Sequence, residues 1–276
     1  MTTGKKIAAS LAAITGAAAT MASVMFAGFM HYLNRPERYS PLAVNAKDVK
    51  LIAHRGMSSL APENTVASFE LAGQHKFWGA ECDIYRSIDG RWIVSHDPNT
   101  FRMMNKAKRI EAKTYEELSK LKINRGSDIE NYSDLKICTL EEYLSICKKY
   151  EMTAIIEVKG KNNTEYYSEV VDAVNTIGAK AIFISFHFTD LVKLRELTSS
   201  PLYLLVMEMK EEHLELVKTL ENCGIDFNGN KKSALTNDLI ARCIEENIPL
   251  ISWTINEPEL FDSLADSGIT YITTDR

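Results

Sequence analysis

The chain has 276 residues, 45% hydrophobic and 25% charged, with a formal net charge of −5, an ordinary globular composition with room for one large domain and an appendage. The acidic balance gives no basic footprint for nucleic acid. The five cysteines, Cys82, Cys138, Cys147, Cys223 and Cys243, include no C-x-x-C pair and are odd in number, which argues against a disulfide framework or a cysteine-based zinc site and leaves them as small core or surface residues, with one surface bridge left open.

Lys5 and Lys6 precede an uncharged stretch from Ile7 to Leu33, rich in Ala, Met and Phe. Its 27 residues exceed the roughly 20 that cross a bilayer's hydrocarbon core, whereas the core of a cleaved signal peptide has only about 7 to 15. The expectation is one retained transmembrane helix over residues 1–33. A short basic tail before the first apolar segment stays inside, which puts the large domain outside the cytoplasm, although Arg35 and Arg38 balance the two lysines from the other side. The alternative is secretion after cleavage within the Ala-rich part. Residues 34–49 carry prolines and polar residues without periodicity and read as a linker.

From Leu51 onward, apolar runs alternate with helical patterns. Leu51 to Ala53 reads as a buried strand, with His54, Arg55 and Gly56 where it stops. Gly56 allows a turn, Pro62 bars a regular helix before it, and Glu63, Asn64 and Thr65 offer capping groups for a helix near Val66 to His75. A strand at Gly79 to Arg86 follows, then the turn signal Ser87 to Gly90 and a hairpin strand at Arg91 to Ser95, which delivers His96 and Asp97. Residues 98–135 form an excursion with an amphipathic helix near Thr114 to Leu121. Thr139 and Glu142 make a capping signature for a helix to Tyr150, and TAIIEVKG carries Glu157 and Lys159. Further strands are expected at Ala181 to Phe186, Leu202 to Val206, Gly224 to Asn228, Pro249 to Thr254 and Thr270 to Thr273. Eight main strands alternating with helices over about 225 residues fit a (β/α)8 TIM barrel, typically about 250 residues. Its catalytic residues are expected at the C-terminal strand ends, with a small insertion after the second strand. Only three residues follow the last expected strand, so an eighth outer helix is not expected within this sequence.

Residues two apart on a strand share a face, so Glu81 and Asp83 project together, as do Glu157 and Lys159. Two carboxylates on one buried face repel unless a positive charge lies between them, and hard oxygen ligands suit Mg²⁺ or Ca²⁺. Imidazole is the side chain suited to both acid and base work near neutral pH, so His54 and His96 are candidates to act as a pair.

In order along the chain, H-R-G with P-E-N-T (His54 to Thr65), E-x-D (Glu81, Asp83), H-D (His96, Asp97), E-x-K (Glu157, Lys159), W-T-x-N (Trp253 to Asn256) and T-D (Thr274, Asp275) resemble the glycerophosphodiester phosphodiesterase family. The resemblance covers roughly Lys50 to the C-terminus. It implies hydrolysis of a glycerophosphodiester to sn-glycerol 3-phosphate and an alcohol, with His54 and His96 as acid and base. It also implies one divalent cation, Mg²⁺ or Ca²⁺, on Glu81, Asp83 and Glu157. Arg55 and Lys159 would share the phosphate charge, and Glu63 would ligate or orient beside them. Trp253 would wall the glycerol carbons, against the plainer reading of a core aromatic, and Phe186 carries the same ambiguity. The plain reading of the carboxylates is a salt-bridge cluster with Arg55 and Lys159. His31, His75, His187 and His213 read as structural, with only His187 near enough to a strand end to reach a pocket. The basic run Asn105 to Arg109 reads as a solvated loop in preference to a lipid contact. Two other functions stay in view: lysophospholipase D-type hydrolysis of lysophospholipids, and a non-catalytic, membrane-anchored barrel that binds phosphate esters.

Overall fold

The computed structural model describes residues 48–104, 106–160, 163–230 and 238–276. The expected anchor and nearly all of the linker lie outside the described residues, and among those described no helix is long and apolar enough to cross a membrane.

Each apolar run becomes a strand: β1 (Lys50–Ala53), β2 (Gly79–Arg86), β3 (Trp92–Val94), β4 (Thr153–Val158), β5 (Ala181–Ser185), β6 (Leu202–Val206), β7 (Cys223–Asn228), β8 (Leu250–Trp253) and β9 (Tyr271–Thr274). All but β3 pair in parallel, and β1 pairs with both β9 and β2, so the sheet closes on itself. Closure removes the exposed edges at which a sheet would aggregate. The outer helices are α1 (Val66–Gln74), α4 (Leu140–Lys149), α5 (Tyr167–Ile177), α6 (Phe188–Arg195), α7 (Glu211–Lys218), α8 (Asp238–Glu245) and α9 (Pro258–Asp266), while α2 (Phe101–Met104) and α3 (Tyr115–Ser119) belong to the excursion. The architecture is the expected (β/α)8 barrel.

Two periodicities separate its cores. Alternate strand residues Ile52, Ile155, Ile182, Ile184, Leu205 and Ile251 fill the barrel, while their neighbours, among them Ala53, Cys82, Ile156, Phe183 and Leu204, pack outward on the helices. Fully burying one such Ile or Leu contributes roughly 1.5–3 kcal/mol. A third seam of Tyr85, Ile93, Ile110, Leu118 and Ile137 ties the excursion to β2 and β3.

Local signals fix several boundaries. Thr139 and Glu142 form the expected capping box, Glu142 N donating to Thr139 Oγ1 at 3.3 Å and Thr139 N to Glu142 Oε2 at 2.8 Å. For α1 the cap is Thr65, reciprocated by Ser68; Glu63 and Asn64 instead turn to other partners, so the expectation that all three serve as caps is corrected. The five cysteines are all buried, free thiols, which settles the question of a surface bridge.

Candidate active site

The loop after β1 is held in a conformation few residues adopt. Arg55 and Asn64 take left-handed φ values of 57° and 56°, and Gly56 takes 77°. A Cβ on Gly56 would lie 2.4 Å from Ser68 Oγ, so both conformation and space require glycine there. Ser68 Oγ donates to Arg55 O at 2.9 Å, and Asn64 N donates to the same carbonyl at 2.9 Å. Left-handed backbone in a non-glycine residue costs of order 1–3 kcal/mol and persists where its surroundings over-determine it. Here two polar contacts impose it, and the Arg55 and His54 side chains are aimed as a result.

His54 Nδ1 lies 2.7 Å from Asp275 Oδ1. Ser58 Oγ donates to the same Oδ1 at 3.0 Å, and Asn256 Nδ2 donates to Oδ2 at 2.7 Å. Asp275 N in turn donates to Asn256 Oδ1 at 2.9 Å. Burial pushes the Asp275 carboxyl up, but His54 and the donors from Asn256 and Ser58 outweigh it and hold it below the usual carboxylate range. A carboxylate on Nδ1 fixes the imidazole and leaves Nε2 for the cavity.

His96 reaches the site by another route. β3 runs antiparallel to β2, with Val94 opposite Ile84, so its end returns from the rim toward the barrel mouth. His96 and Asp97 thus follow the end of the hairpin strand expected from the sequence, beside motifs that ride on parallel strand ends. His96 Nδ1 lies 2.9 Å from Asp97 Oδ1, and Asp97 Oδ2 accepts from Arg102 Nε at 2.6 Å. Arg102 also grips Glu63 through both terminal nitrogens, at 2.6 and 2.8 Å, and Glu63 Oε1 accepts from Arg55 at 3.0 Å. Alternating charges thus run from Asp97 through Arg102 and Glu63 to Arg55. Although burial opposes ionisation of Glu63, the two guanidiniums hold it well below the usual range. With its oxygens so engaged, Glu63 orients the two arginines, one of the two roles left open for it.

Between these arms Glu81, Asp83 and Glu157 are buried with oxygens within 4.8 Å of one another. Glu81 accepts from Arg55 N at 2.9 Å, and Asp83 Oδ2 accepts from Asn64 Nδ2 at 2.8 Å. Lys159 Nζ stands 2.9 Å from Asp83 Oδ1 and 3.2 Å from Glu157 Oε1. Burial and then the Asp83 charge push the Glu81 and Glu157 carboxyls well above their usual range. Asp83 is held low against burial by Lys159 and then Arg55. The cluster by itself is short of positive charge, and its converging oxygen donors fit a divalent cation of the Mg²⁺ or Ca²⁺ class. The ion pairs of the plain reading, to Arg55 and Lys159, are present as well.

A cavity of about 270 Å³ is lined by His54, Arg55, Glu81, His96, Glu157 and Lys159 on one side and by Phe186, Met207, Asp226 and Trp253 among the remainder. Trp253 and Phe186 thus reach the cavity, with ring centroids 6.0 Å apart, edge to face. Asp83 stands just behind the lining. His187 is exposed and absent from it, and Lys106 to Arg109 are exposed, as expected of a solvated loop.

Several site residues escaped the sequence reading. Asp275 and Asn256 were seen as motif letters without a role, although Tyr271, Thr273 and Asp275 share one parity on β9 and could have been placed on the inner face. Gly224 and Asp226 on β7 carry the same signal. Arg102 gave none, and Asn64 only a motif letter and a capping group, because only the folding of the excursion and of the first loop brings them to the site.

A family model described as the glycerophosphoryl diester phosphodiesterase family matches residues 54–276. An uncharacterized protein of Mycoplasma genitalium is 30% identical over 235 residues, covering 79% of this chain and 92% of that one. A glycerophosphodiester phosphodiesterase of Bacillus altitudinis is 26% identical over 234 residues, 82% of this chain and 94% of its own length. Among solved structures, an Oleispira antarctica phosphodiesterase in complex with the product sn-glycerol-3-phosphate superposes with a TM-score of 0.76 at 25% identity, covering 83% of this chain and 93% of that one.

Proposed function

The chain belongs to the glycerophosphoryl diester phosphodiesterase family, and on that premise we propose that its cavity hydrolyses glycerophosphodiesters to sn-glycerol 3-phosphate and an alcohol by two-histidine acid–base catalysis. It is an enzyme of that family, a phosphoric diester hydrolase. The observation that carries the mechanism is that two imidazoles, each held through Nδ1 by an aspartate, line one cavity with the carboxylate cluster beside them.

The substrate phosphate sits against Arg55 and Lys159. Arg55 Nε is buried with no hydrogen-bond partner, although it stands 3.6 Å from Asp83 Oδ2, and could turn its N–H to a phosphate oxygen. One histidine takes the proton of an attacking hydroxyl, from water or from the glycerol itself, and the other protonates the departing alkoxide. Where the glycerol hydroxyl attacks, water then opens the cyclic phosphate with the two roles reversed; such proton transfers contribute about 10²–10⁴-fold each. Asp275 and Asp97 keep the two rings in register through the reaction, and Glu63 with Arg102 links the second arm to Arg55. Glu81, Asp83 and Glu157 would hold a divalent cation, which when bound supplies Lewis-acid polarisation of a phosphoryl oxygen and a template for the diester. Trp253 and Phe186 exclude water beside the organic groups.

The test uses the chelator-stripped full chain, assayed for glycerol 3-phosphate release from glycerophosphoethanolamine, with Mg²⁺ or Ca²⁺ added back. Release restored by one of them supports the reaction and names the metal. A folded protein inactive with both refutes it and moves the reading to lysophospholipids and then to the non-catalytic binding barrel.

A second reading, hydrolysis of lysophospholipids, is favoured by one observation. A groove of about 430 Å³, lined by Phe188, Leu204, Val206 and Leu216 with Glu208, Lys210 and His213 beside them, shares Phe186, Leu205 and Met207 with the catalytic cavity. An acyl chain would lie in it. Turnover of lysophosphatidylcholine above that of glycerophosphocholine, lost on Met207→Asp, supports this reading; preference for the deacylated diester removes it.

We also propose that residues 7–33 anchor the enzyme in a membrane with the barrel outside the cytoplasm, supported by the length and apolar composition of that stretch. Retention of the full chain in the membrane after alkaline washing, with protease reaching the barrel from outside, is the expected result. A mature N-terminus within the Ala-rich part would show secretion instead.

A further inference from the structure

The catalytic reading leaves one wall of the cavity unused. The carboxylate cluster rests on β2 and β4, and around the closed ring of parallel strands β7 lies four strands from β2 in either direction. From β7, Asp226 lines the same cavity. It is only 2% exposed, and its Oδ1 has no hydrogen-bond partner. Among the described residues no cation pairs with it, and burial alone pushes its carboxyl well above the usual range. Every other acid of the site, from Glu63 to Asp275, has a donor or a cation in contact.

The surroundings of Asp226 narrow what it could meet. Leu205 and Ile251 sit beside it in register. Trp253 Nε1 donates to its backbone carbonyl at 3.3 Å, and Phe186 meets the indole edge to face. A buried carboxyl with an unsatisfied oxygen repels an anion once it is ionised, and in either state it gives an apolar chain nothing. It suits a small cation that has N–H groups, and the neighbouring rings add cation–π attraction. Arg55 and Lys159 provide the opposite charge on the other arc of the cavity.

We propose that Asp226, Trp253 and Phe186 form a subsite for a primary ammonium group, as on an ethanolamine-type leaving alcohol, an inference that rests on the phosphodiesterase reading of the cavity. The zwitterionic diester spans the cavity, phosphate on the basic arc and ammonium on Asp226, whose carboxyl gives up its proton to solvent as the cation arrives. A quaternary ammonium has no N–H for the orphaned Oδ1 and uses the rings alone, so it binds less well.

The test compares the full chain with Asp226→Asn, which keeps the shape and removes the charge. The first measurement is kcat/KM for glycerophosphoethanolamine and for glycerophosphoglycerol, whose leaving alcohol is uncharged. The variant is expected to lose about tenfold or more on the first, since a hydrogen bond to a charged group is worth at least that ratio, and less than about threefold on the second. Equal losses on both, or none on either, overturn the inference while leaving the phosphodiesterase reading intact. The second measurement is calorimetric binding of O-phosphoethanolamine and of inorganic phosphate to the same proteins. Weakening of the first ligand alone supports the subsite even if neither diester is turned over, the result that would sink the phosphodiesterase reading; unchanged or equal weakening overturns the subsite.

Discussion

Removing the Asp275 carboxylate separates positioning from folding most cleanly. Asp275→Ala strips an acceptor from His54 Nδ1 at 2.7 Å, Ser58 Oγ at 3.0 Å and Asn256 Nδ2 at 2.7 Å. Leaving buried donors unsatisfied costs about 1–3 kcal/mol, so a drop of about 2 kcal/mol in unfolding free energy is expected by urea titration. The rate effect should be larger. His54 loses the group that fixes its tautomer, and an acid–base catalyst contributes about 10²–10⁴-fold, or roughly 2.7–5.5 kcal/mol of barrier. Asp275 is not part of the cavity lining, so the loss belongs in kcat with KM little changed. Asp275→Asn sharpens the test: the amide keeps one acceptor, and its NH₂ must oppose either Asn256 or the ring. A steady-state assay of glycerol 3-phosphate release reads both variants. If kcat stays within about threefold of the parent in a variant that has lost stability as expected, Asp275 serves the fold alone and the two-arm account of His54 is wrong.

Replacing His54 or His96 by Ala should lower kcat by at least about 10²-fold each while the melting temperature holds within a few degrees; unimpaired turnover in both would remove the acid–base assignment. A divalent cation at about 100 times its Kd should raise unfolding free energy by about 2.7 kcal/mol, with the gain lost in Asp83→Asn, and a melting temperature indifferent to Mg²⁺ and Ca²⁺ would count against the carboxylate cluster as a metal site. For Asp226 the sign follows from its raised folded-state pKa. Above about pH 4 the unfolded chain releases a proton that the folded state keeps, so stability falls by up to about 1.4 kcal/mol per pH unit as pH rises toward the folded-state value. In chelator, Asp226→Asn should therefore gain on the parent as pH rises above about 4, and parallel stability curves would show that the carboxyl is not held neutral.

What local sequence determines here is whatever depends on neighbours in the chain. Apolar runs of four to six residues, bounded by turn residues, became β1 and β4 to β9 because burial on both faces of a parallel strand needs that pattern. The Thr139 and Glu142 cap and the period-two pairing of Glu81 with Asp83 follow from local geometry. With the motifs, that was enough to name His54, His96, Arg55, Lys159 and the three carboxylates, all of which the fold brings to one barrel mouth. Tertiary structure decided the rest. The contact between His54 and Asp275 spans 221 positions and exists only because β9 closes the ring against β1. Arg102 joins Asp97 to Glu63 only because the excursion folds back over the first loop. Asp226 looks from its own strand like any buried polar residue, and the closed barrel alone reveals that its carboxyl faces the catalytic cavity without a partner. Strand identity is set by steric and burial rules acting over a few residues, whereas charge pairing in a barrel mouth depends on which strand ends closure makes neighbours.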